Sequence, residues 1–322
     1  MPAGPLTSVG IGDDAAVVGA PSGSVVAAVD LLIEGRHFRR DWSAAYDIGV
    51  KAAARSLADI AAMGAVNTAL LVALAAPGTL PARWATDLAD GLAAEAARAG
   101  AGIVGGDTAR ADLVLLSVTA LGDLAGRRPV LRSGARPGDL VAVAGPLGHS
   151  AAGLALLQAG RRGAFAELVA AHRRPAPPYD AGPEASLLGA TAMIDVSDGL
   201  LADLGHVAEA SGVQVDVDSS RLTVGAPLRE AAASLLAAAP SSRTEAGYPR
   251  PPMTPDSPAG SPQAMALEWV LTGGEDHALV AVFPPGTPLP HRWRVIGEVR
   301  DGTGVTVDGA ARRGPGGWRH FR

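Results

Sequence analysis

Six segments of this chain place aspartate or glutamate beside glycine or inside an alanine- and valine-rich run. They read GIGDDAAVV (10–18), VVAAVDLLIEGRHF (25–38), SLADIAAMGA (56–65), GIVGGDTAR (102–110), MIDVSDGL (193–200) and LTGGEDHALV (271–280). A carboxylate in such surroundings is costly unless a cation or hydrogen-bond donors compensate its charge. Because the pattern recurs along the chain, we expect these carboxylates to converge on bound cations.

Magnesium suits these segments, because it prefers oxygen ligands and is commonly shared between carboxylates and substrate phosphates. The candidate ligands are Asp13, Asp14, Asp30, Asp59, Asp107, Asp195 and Asp198. The adjacent glycines allow the backbone to approach a phosphate closely. The pattern therefore indicates phosphoryl transfer, in which positioning and charge neutralisation supply most of the catalysis.

Each acidic position also has a purely structural interpretation. Taken singly, Asp198 is a helix cap, Asp13 and Asp14 form a turn, and His37 is a surface histidine on a loop. Asp59 is harder to explain in this way, because it lies among apolar residues of a predicted helix. The joint pattern, rather than any one position, favours the functional interpretation.

Composition narrows the function further. The chain has 322 residues, of which 48% are hydrophobic and 18% are charged, which is enough for two domains with large cores. A net charge of −5 argues against a general nucleic-acid or anionic-membrane surface. The absence of cysteine excludes disulfides, thiolate catalysis and zinc–thiolate or iron–sulfur sites. The sequence contains no signal peptide, membrane span, P-loop or protein-kinase signature, so we expect a cytoplasmic protein.

Strand and helix patterns alternate along the chain, which favours an α/β fold. The predicted strands are 24–30, 68–75, 101–105, 112–121, 139–144, 190–196, 213–217, 278–283 and 293–299, and the predicted helices are 45–63, 82–99, 150–159 and one that Ser197 and Asp198 begin. The turn-rich segment 132–139 predicts a boundary between domains 1–137 and 138–322. Residues 240–264 have the composition of a disordered insertion.

Eight segments, taken in order, resemble the thiamine-monophosphate kinase family, which belongs to the superfamily of aminoimidazole ribonucleotide synthetase. They are GIGDDAAVV, VDLLIEGRHF, LADIAAMGA, GGDT, RSGARPGD, GHSAAGLALL, IDVSDGLLADLGHVAEASG and GGEDHALV. The resemblance covers nearly the whole chain. It implies a two-domain α/β (α+β) fold, with an N-terminal mixed sheet that pairs into a homodimer and a C-terminal α/β domain.

The resemblance also implies an activity: ATP-dependent phosphorylation of thiamine monophosphate to thiamine diphosphate, by direct in-line transfer assisted by several Mg²⁺ ions. By motif, the metal ligands are Asp14, Asp30, Asp59, Asp107, Asp195 and Asp198, of which Asp107 and Asp198 are also catalytic. Gly106, Arg132 and Ser197 correspond to ATP contacts, and His37, Glu275 and Trp318 to contacts with thiamine monophosphate. Neither nucleic acid nor membrane is an expected partner.

The chain departs from the family pattern at the second and third of these segments. Ala28 and Val29 stand where the family usually has threonines that support metal binding, and Ala58 replaces a serine. Most of the family's segment before GIGDD is also missing. Two alternatives stay open: another ATP-using enzyme of the same superfamily, and a catalytically inactive protein that binds nucleotide or metal. The lack of cysteine counts against selenophosphate synthetase and the hydrogenase-maturation protein.

Overall fold

The computed structural model describes residues 4–11, 15–161, 163, 165–237, 260–312 and 316–317. Two predicted site residues, Asp14 and Trp318, lie outside these ranges, as does Asp13 and most of the predicted insertion. The chain divides into two compact units. The first comprises residues 1–129 and 182–186, and the second comprises 130–181 and 187–322. The predicted domain boundary at 137/138 stays a prediction.

The first unit contains six strands and two long helices in the described residues. In chain order they are β1 (Thr7–Val9), β2 (Val17–Val18), β3 (Val26–Ile33), α1 (Ala45–Ala62), β4 (Val66–Ala76), α2 (Ala82–Arg98), β5 (Gly102–Arg110) and β6 (Leu115–Asp123). Strands β1 and β2 form a separate two-stranded sheet, and the main sheet has the order β3-β6-β4-β5. Only the β4–β5 pair is parallel.

Helix α1 packs against β3, β4 and β6, whereas α2 packs against α1 and β5. The small side chains of α1 allow it to be buried on almost every side. Gly49 of α1 and Gly91 of α2 mark the point of closest approach. A Cβ on Gly49 would lie 2.2 Å from the Leu88 carbonyl oxygen, and one on Gly91 would lie 2.1 Å from that of Tyr46. Glycine is therefore required at the helix crossing.

The second unit is built on a seven-stranded sheet of order β13-β12-β9-β11-β7-β10-β8. Its elements, with the short helix that straddles the division, are β7 (Leu140–Ala144), α3 (His149–Gln158), α4 (Ala166–Arg173), α5 (Ala181–Leu187), β8 (Ala192–Asp195), α6 (Leu200–Ser211), β9 (Gln214–Val217), α7 (Ala226–Leu236), α8 (Pro262–Thr272), β10 (Leu279–Phe283), β11 (Arg294–Arg300), β12 (Gly304–Val307) and β13 (Ala310–Ala311). A 3₁₀ turn covers Ser219–Arg221. Helix α6 packs on β8, β9 and β12, and α3 packs on α4, α7 and α8.

The mixed α/β class and the order of the predicted elements are confirmed, with five local corrections. Strand β3 continues to Ile33 and β5 continues to Arg110, so Asp30 and Asp107 lie within strands and not at their ends. The reason is the sheet register, because Asp30 is opposite Val118 of β6 and Asp107 is opposite Ala73 of β4. Strand β6 begins at Leu115, later than predicted.

Helix α6 begins at Leu200, so the prediction that Ser197 and Asp198 begin it was wrong. Gly199 precedes the helix at φ 127° and makes no side-chain cap. The end of the predicted insertion was also wrong, because α8 begins at Pro262 and the Ser261 hydroxyl accepts the N–H of Ala264 as its cap. Among the helices that the structure describes, none has the length and apolar character needed to cross a membrane. The expected cytoplasmic location stays a prediction.

Candidate functional site

Asp30 sits at the junction of β3 and α1 in the first unit. Its Oδ1 lies 3.6 Å from Nη2 of Arg55, and its Oδ2 lies 3.2 Å from Oγ of Ser56. The Ser56 hydroxyl also lies 3.0 Å from the carbonyl oxygen of Val118, to which it can donate. Asp30 is half-buried, so its carboxylate is held in place by α1 while one side stays accessible.

Asp59 occupies the same stripe of α1. It is one helical turn after Arg55 and Ser56, and side chains three and four residues apart lie on one face of a helix. Arg55 and Asp59 are half-buried, whereas the alanines and leucines around them are buried. The predicted ligands Asp30 and Asp59 therefore both belong to the edge of the α1–β3 contact.

Gly106 and Asp107 lie on the opposite edge of the same sheet. The register places Asp30, Val118, Val72 and Gly106 in one row across the four strands. Three strand spacings separate Asp30 from Gly106, which is about 14 Å. Residues in one row share a face of the sheet, so Asp107, which belongs to the next row, points to the other face. Within this sheet Asp30 and Asp107 cannot bind one ion together directly, so the pattern fits several ions better than one.

Gly106 is required by the backbone of β4. A Cβ at this position would lie 1.8 Å from the Val72 carbonyl oxygen. The Asp107 side chain is exposed, and its Oδ1 accepts the N–H of Thr108 at 2.7 Å. The sequence GGDT thus presents an accessible carboxylate beside a stretch of backbone that carries no side chain.

His37 lies in the loop after β3 and is oriented by two contacts. Its Nδ1 accepts the N–H of Ile33 at 3.0 Å, which assigns the ring proton to Nε2. Its carbonyl oxygen accepts a hydrogen bond from Nζ of Lys51 at 3.1 Å. Lys51 is almost fully buried in α1, so a buried charge fixes the loop that carries His37.

In the second unit, the segment Val196–Gly199 after β8 is bonded to the segment Gly273–Ala278 before β10. The N–H of Glu275 donates to the carbonyl of Ser197 at 2.8 Å, and the N–H of His277 donates to that of Val196 at 3.0 Å. Glu275 and His277 adopt positive φ values of 68° and 53°. The predicted residues Ser197, Asp198 and Glu275 are therefore brought together by backbone bonds.

Asp276 anchors this segment from the inside. Its Oδ2 accepts the N–H of Gly148 at 2.6 Å, and its Oδ1 accepts the N–H of Ser150 at 2.7 Å. Burial raises the pKa of the Asp276 carboxyl to about 7, while the two N–H bonds favour its ionised form. Asp276 thus caps the N-terminus of α3, which attracts negative charge.

Negative charge is concentrated at the end of β8. Asp195 and Asp198 lie near Asp203 of α6, whose Oδ2 accepts the N–H groups of Asp198 and Gly199, each at 3.0 Å. Burial, followed by the charges of Asp195 and Asp198, raises the pKa of Asp203 to about 8. Asp195 is hydrogen-bonded to the ring of His277, whose Nδ1 lies 3.0 Å from Oδ2 of Asp195.

Arg132 is carried by a loop tied to the end of α6. The Ser211 hydroxyl donates to the Arg132 carbonyl at 3.1 Å and accepts the N–H groups of Gly134 and Ala135. The Arg132 residue itself is exposed. A fixed backbone and an exposed guanidinium suit an arginine that binds phosphate oxygens.

Sequence reasoning missed several residues that build these surroundings: Lys51, Arg55, Ser56, Asp203, Asp276 and His277. Asp203 and Lys51 carried the same signal as Asp59, a charged side chain on an apolar helix face. The roles of Asp276 and His277 depend on contacts with distant segments and had no local signal. Within the described ranges, no three His, Asp or Glu side chains form a ready metal site.

Comparison with known proteins identifies the family. The family model for AIR synthase related protein, N-terminal domain, matches residues 12–124, and the model for the C-terminal domain matches residues 136–309. The thiamine-monophosphate kinase of Mycobacterium tuberculosis is 48% identical over 314 residues, which cover 97% of this chain and 86% of the relative.

Two solved structures are similar over almost the whole chain. The thiamine-monophosphate kinase of Stenotrophomonas maltophilia K279a is 32% identical with a TM-score of 0.78, covering 96% of this chain and 93% of that one. AaThiL complexed with AMPPCP and TMP is 30% identical with a TM-score of 0.78, covering 97% of this chain and 92% of that one. On these similarities, the chain belongs to the thiamine-monophosphate kinase family of AIR synthase related proteins.

Proposed function

We propose that this protein transfers the γ-phosphoryl group of ATP to the phosphate of thiamine monophosphate, giving thiamine diphosphate and ADP. The observation that carries the proposal is the 48% identity to a thiamine-monophosphate kinase over 97% of the chain. The structure of AaThiL complexed with AMPPCP and TMP supports ATP and thiamine monophosphate as the two substrates.

Groups suited to phosphate binding occur within each unit. Gly106 offers backbone without a side chain next to Asp107 in the first unit, and Arg132 offers an exposed guanidinium in the second. Ser197 stands after β8 with its carbonyl hydrogen-bonded to the N–H of Glu275, and its hydroxyl is the group that would contact a nucleotide. In this proposal Gly106, Arg132 and Ser197 bind ATP, and catalysis comes from holding the phosphates in line.

Magnesium is the proposed cofactor, and the residues present fit it. Their donors are carboxylate oxygens, which suit a hard cation. Burial, followed by the charges of Asp195 and Asp198, raises the pKa of Asp203, so three carboxyl groups lie close together at the end of β8 and a cation there would relieve their repulsion. Asp30, Asp59 and Asp107 would hold Mg²⁺ in the first unit, with Asp14 as a further predicted ligand, and Asp195 and Asp198 would do so in the second. Bound Mg²⁺ would neutralise phosphate charge during transfer.

Thiamine monophosphate would be oriented by residues on fixed loops. His37 presents Nε2–H as a donor, because Nδ1 already accepts the N–H of Ile33. Glu275 places a carboxylate on a strained turn, and a carboxylate suits the cationic thiazolium ring of the substrate. Trp318, which lies outside the described residues, is the proposed stacking partner of the rings.

A homodimer is proposed through the face of the four-stranded sheet that α1 leaves open. Val29, Leu31 and Leu71 on this face are 63%, 49% and 37% exposed. The register puts Val29 and Leu71 in one row with Thr119 between them. Leu31 lies two residues after Val29, opposite Ser117, and therefore on the same face. An apolar stripe along a sheet is typical of a face that a second copy covers.

A comparison of two substrates, thiamine monophosphate and free thiamine, tests the proposed reaction. Purified protein with Mg²⁺ and ATP should phosphorylate thiamine monophosphate and leave free thiamine unchanged, and Asp107→Asn should lose at least ~100-fold in kcat while it keeps the wild-type circular dichroism spectrum. Direct transfer further requires inversion of configuration at a chiral γ-phosphate. Phosphorylation of free thiamine would indicate a different kinase, and retention of configuration would indicate a phosphoenzyme.

A further inference from the structure

His277 and Asp195 form a buried hydrogen bond in the second unit. Nδ1 of His277 lies 3.0 Å from Oδ2 of Asp195, and the side chains are 2% and 5% exposed. Because an ionised carboxylate can only accept, Nδ1 carries the ring proton and donates it. The second ring nitrogen, Nε2, is buried and has no hydrogen-bond partner among the residues that the structure describes.

Backbone hydrogen bonds with Val196 fix the main chain at His277 and Ala278. Its N–H donates to the carbonyl of Val196 at 3.0 Å, and the N–H of Val196 donates to the carbonyl of Ala278 at 2.8 Å. His277 also adopts a φ of 53°, a left-handed conformation that costs a histidine free energy and persists only when its surroundings enforce it. The ring is therefore a rigid support that reaches the carboxylate at the end of β8.

We infer that His277 is a positioning residue for a divalent cation: by holding Oδ2 of Asp195 it fixes the orientation in which that carboxylate meets the ion. This inference rests on the proposed function, in which Asp195 binds Mg²⁺. Partners that hold a ligating side chain commonly contribute 10- to 100-fold in metal affinity. His277 itself does not contact the reacting atoms in this account.

A packing role would make different demands on the side chain. If the ring only fills the core, its volume matters and its N–H does not. His277→Asn gives a smaller side chain, keeps an N–H donor at the place of Nδ1, and tolerates a positive φ. His277→Leu keeps comparable volume and removes the donor. Metal affinity should follow the donor, whichever way the two variants rank in thermal stability.

Manganese binding tests this without turnover. Mn²⁺ affinity is measured by electron paramagnetic resonance in the presence of a β,γ-methylene analogue of ATP. We expect His277→Asn to stay within about threefold of wild type and His277→Leu to bind about tenfold more weakly or worse. His172→Leu is the matched control, because His172 is also buried but its Nδ1 pairs with the Ser150 hydroxyl at 3.0 Å. It should keep wild-type Mn²⁺ affinity.

Equal Mn²⁺ affinity in His277→Leu and wild type would overturn the inference, and so would equal losses in the Leu and Asn variants. If the Leu variant does not fold, the tautomer of the His277 ring in the wild-type protein still tests the inference. Long-range ¹H–¹⁵N correlation, with the signal assigned by its loss in His277→Asn, should show the Nδ1-protonated tautomer, and an Nε2-protonated ring would overturn the inference.

Failure of the proposed function gives a separate result. If wild type forms no thiamine diphosphate while Mn²⁺ affinity still follows the donor, the substrate assignment is wrong and the role of His277 stands. If wild type is active and His277→Leu binds Mn²⁺ normally, only the role of His277 is wrong.

Discussion

Asp276 caps helix α3 from 128 residues away, since its Oδ2 accepts the backbone N–H of Gly148 at 2.6 Å. Its Oδ1 accepts the N–H of Ser150, so one buried carboxylate satisfies two donors at the helix N-terminus. Because Glu275 and His277 flank Asp276 at positive φ, the same contact holds the turn that presents both residues.

We therefore expect Asp276→Ala to destabilise the protein by about 2–3 kcal/mol, because two buried N–H donors lose their acceptor. Chemical denaturation measures the change in the free energy of unfolding. Asp301→Ala is the control, because Asp301 is exposed in a turn after β11, and it should change stability by less than about 0.5 kcal/mol. A loss in the Asp276 variant no larger than in the control would contradict the cap.

Asp203 predicts a specific dependence of stability on pH. Its pKa is raised in the folded state from 3.8 to about 8, so the folded protein binds the proton more tightly than the unfolded chain does. That contribution to stability is complete below pH 3.8 and is lost as the pH rises towards 8. Asp203→Asn cannot lose a proton, and its amide oxygen can still accept the N–H groups of Asp198 and Gly199.

In metal-free buffer, the unfolding free energy of Asp203→Asn relative to wild type should thus increase between pH 4 and pH 8. We expect a change on the order of 2 kcal/mol or more, since one pKa unit corresponds to about 1.4 kcal/mol. Asp301→Asn should show a constant difference across this range. A pH-independent difference for the Asp203 variant as well would show that the carboxyl titrates normally.

Gly106 should be intolerant of even one methyl group. A Cβ there would meet the Val72 carbonyl oxygen at 1.8 Å, whereas a Cβ on Gly205 in α6 would meet nothing within 4 Å. Gly106→Ala should cost at least about 2 kcal/mol of stability and weaken ATP binding, while Gly205→Ala should be neutral or stabilise by up to about 1 kcal/mol. Thermal melts and nucleotide titrations measure both effects. Wild-type behaviour of Gly106→Ala would disprove the close approach of β4 and β5.

The proposed dimer face can be tested by charge. Val29→Glu would place a carboxylate on the open face, at the edge strand β3, and burying it unpaired against a second copy should weaken the dimer by ~100-fold or more. Light scattering after gel filtration reports the oligomeric state. Leu187→Glu, at a residue that is 73% exposed on α5, should leave that state unchanged. A Val29→Glu dimer as tight as wild type would place the interface elsewhere.

The sequence allowed prediction of most elements, because hydrophobic periodicity and glycine or proline breaks are local signals. Helix α1 begins at the predicted residue, Ala45, and ends at Ala62, one residue before the predicted end, whereas β4 (Val66–Ala76) is longer than the predicted strand 68–75 at both ends. The extension of β5 through Asp107 could not be predicted, because polar and glycine residues at 105–110 pair only where β4 supplies a partner strand. Position in the sheet overrode local propensity there.

The site residues also fall into two groups, those with a local signal in the sequence and those whose roles depend on distant contacts. Asp30, Asp59 and Asp107 could be recognised because their acidic character contrasts with their neighbours. The start of α6 was missed, since the N–H groups of Asp198 and Gly199 are satisfied by Asp203 one turn into the helix and not by a preceding cap. Asp276 and His277 were missed because their partners lie 80 or more residues away in sequence.

The most direct test of the proposed kinase activity is to follow the substrates and products by phosphorus-31 NMR, using the unmodified protein with Mg²⁺, ATP and thiamine monophosphate. We predict that the thiamine monophosphate signal disappears as two diphosphate products, thiamine diphosphate and ADP, accumulate in equal amounts. Release of inorganic phosphate from ATP without thiamine diphosphate, or no reaction from protein that binds ATP, would contradict it.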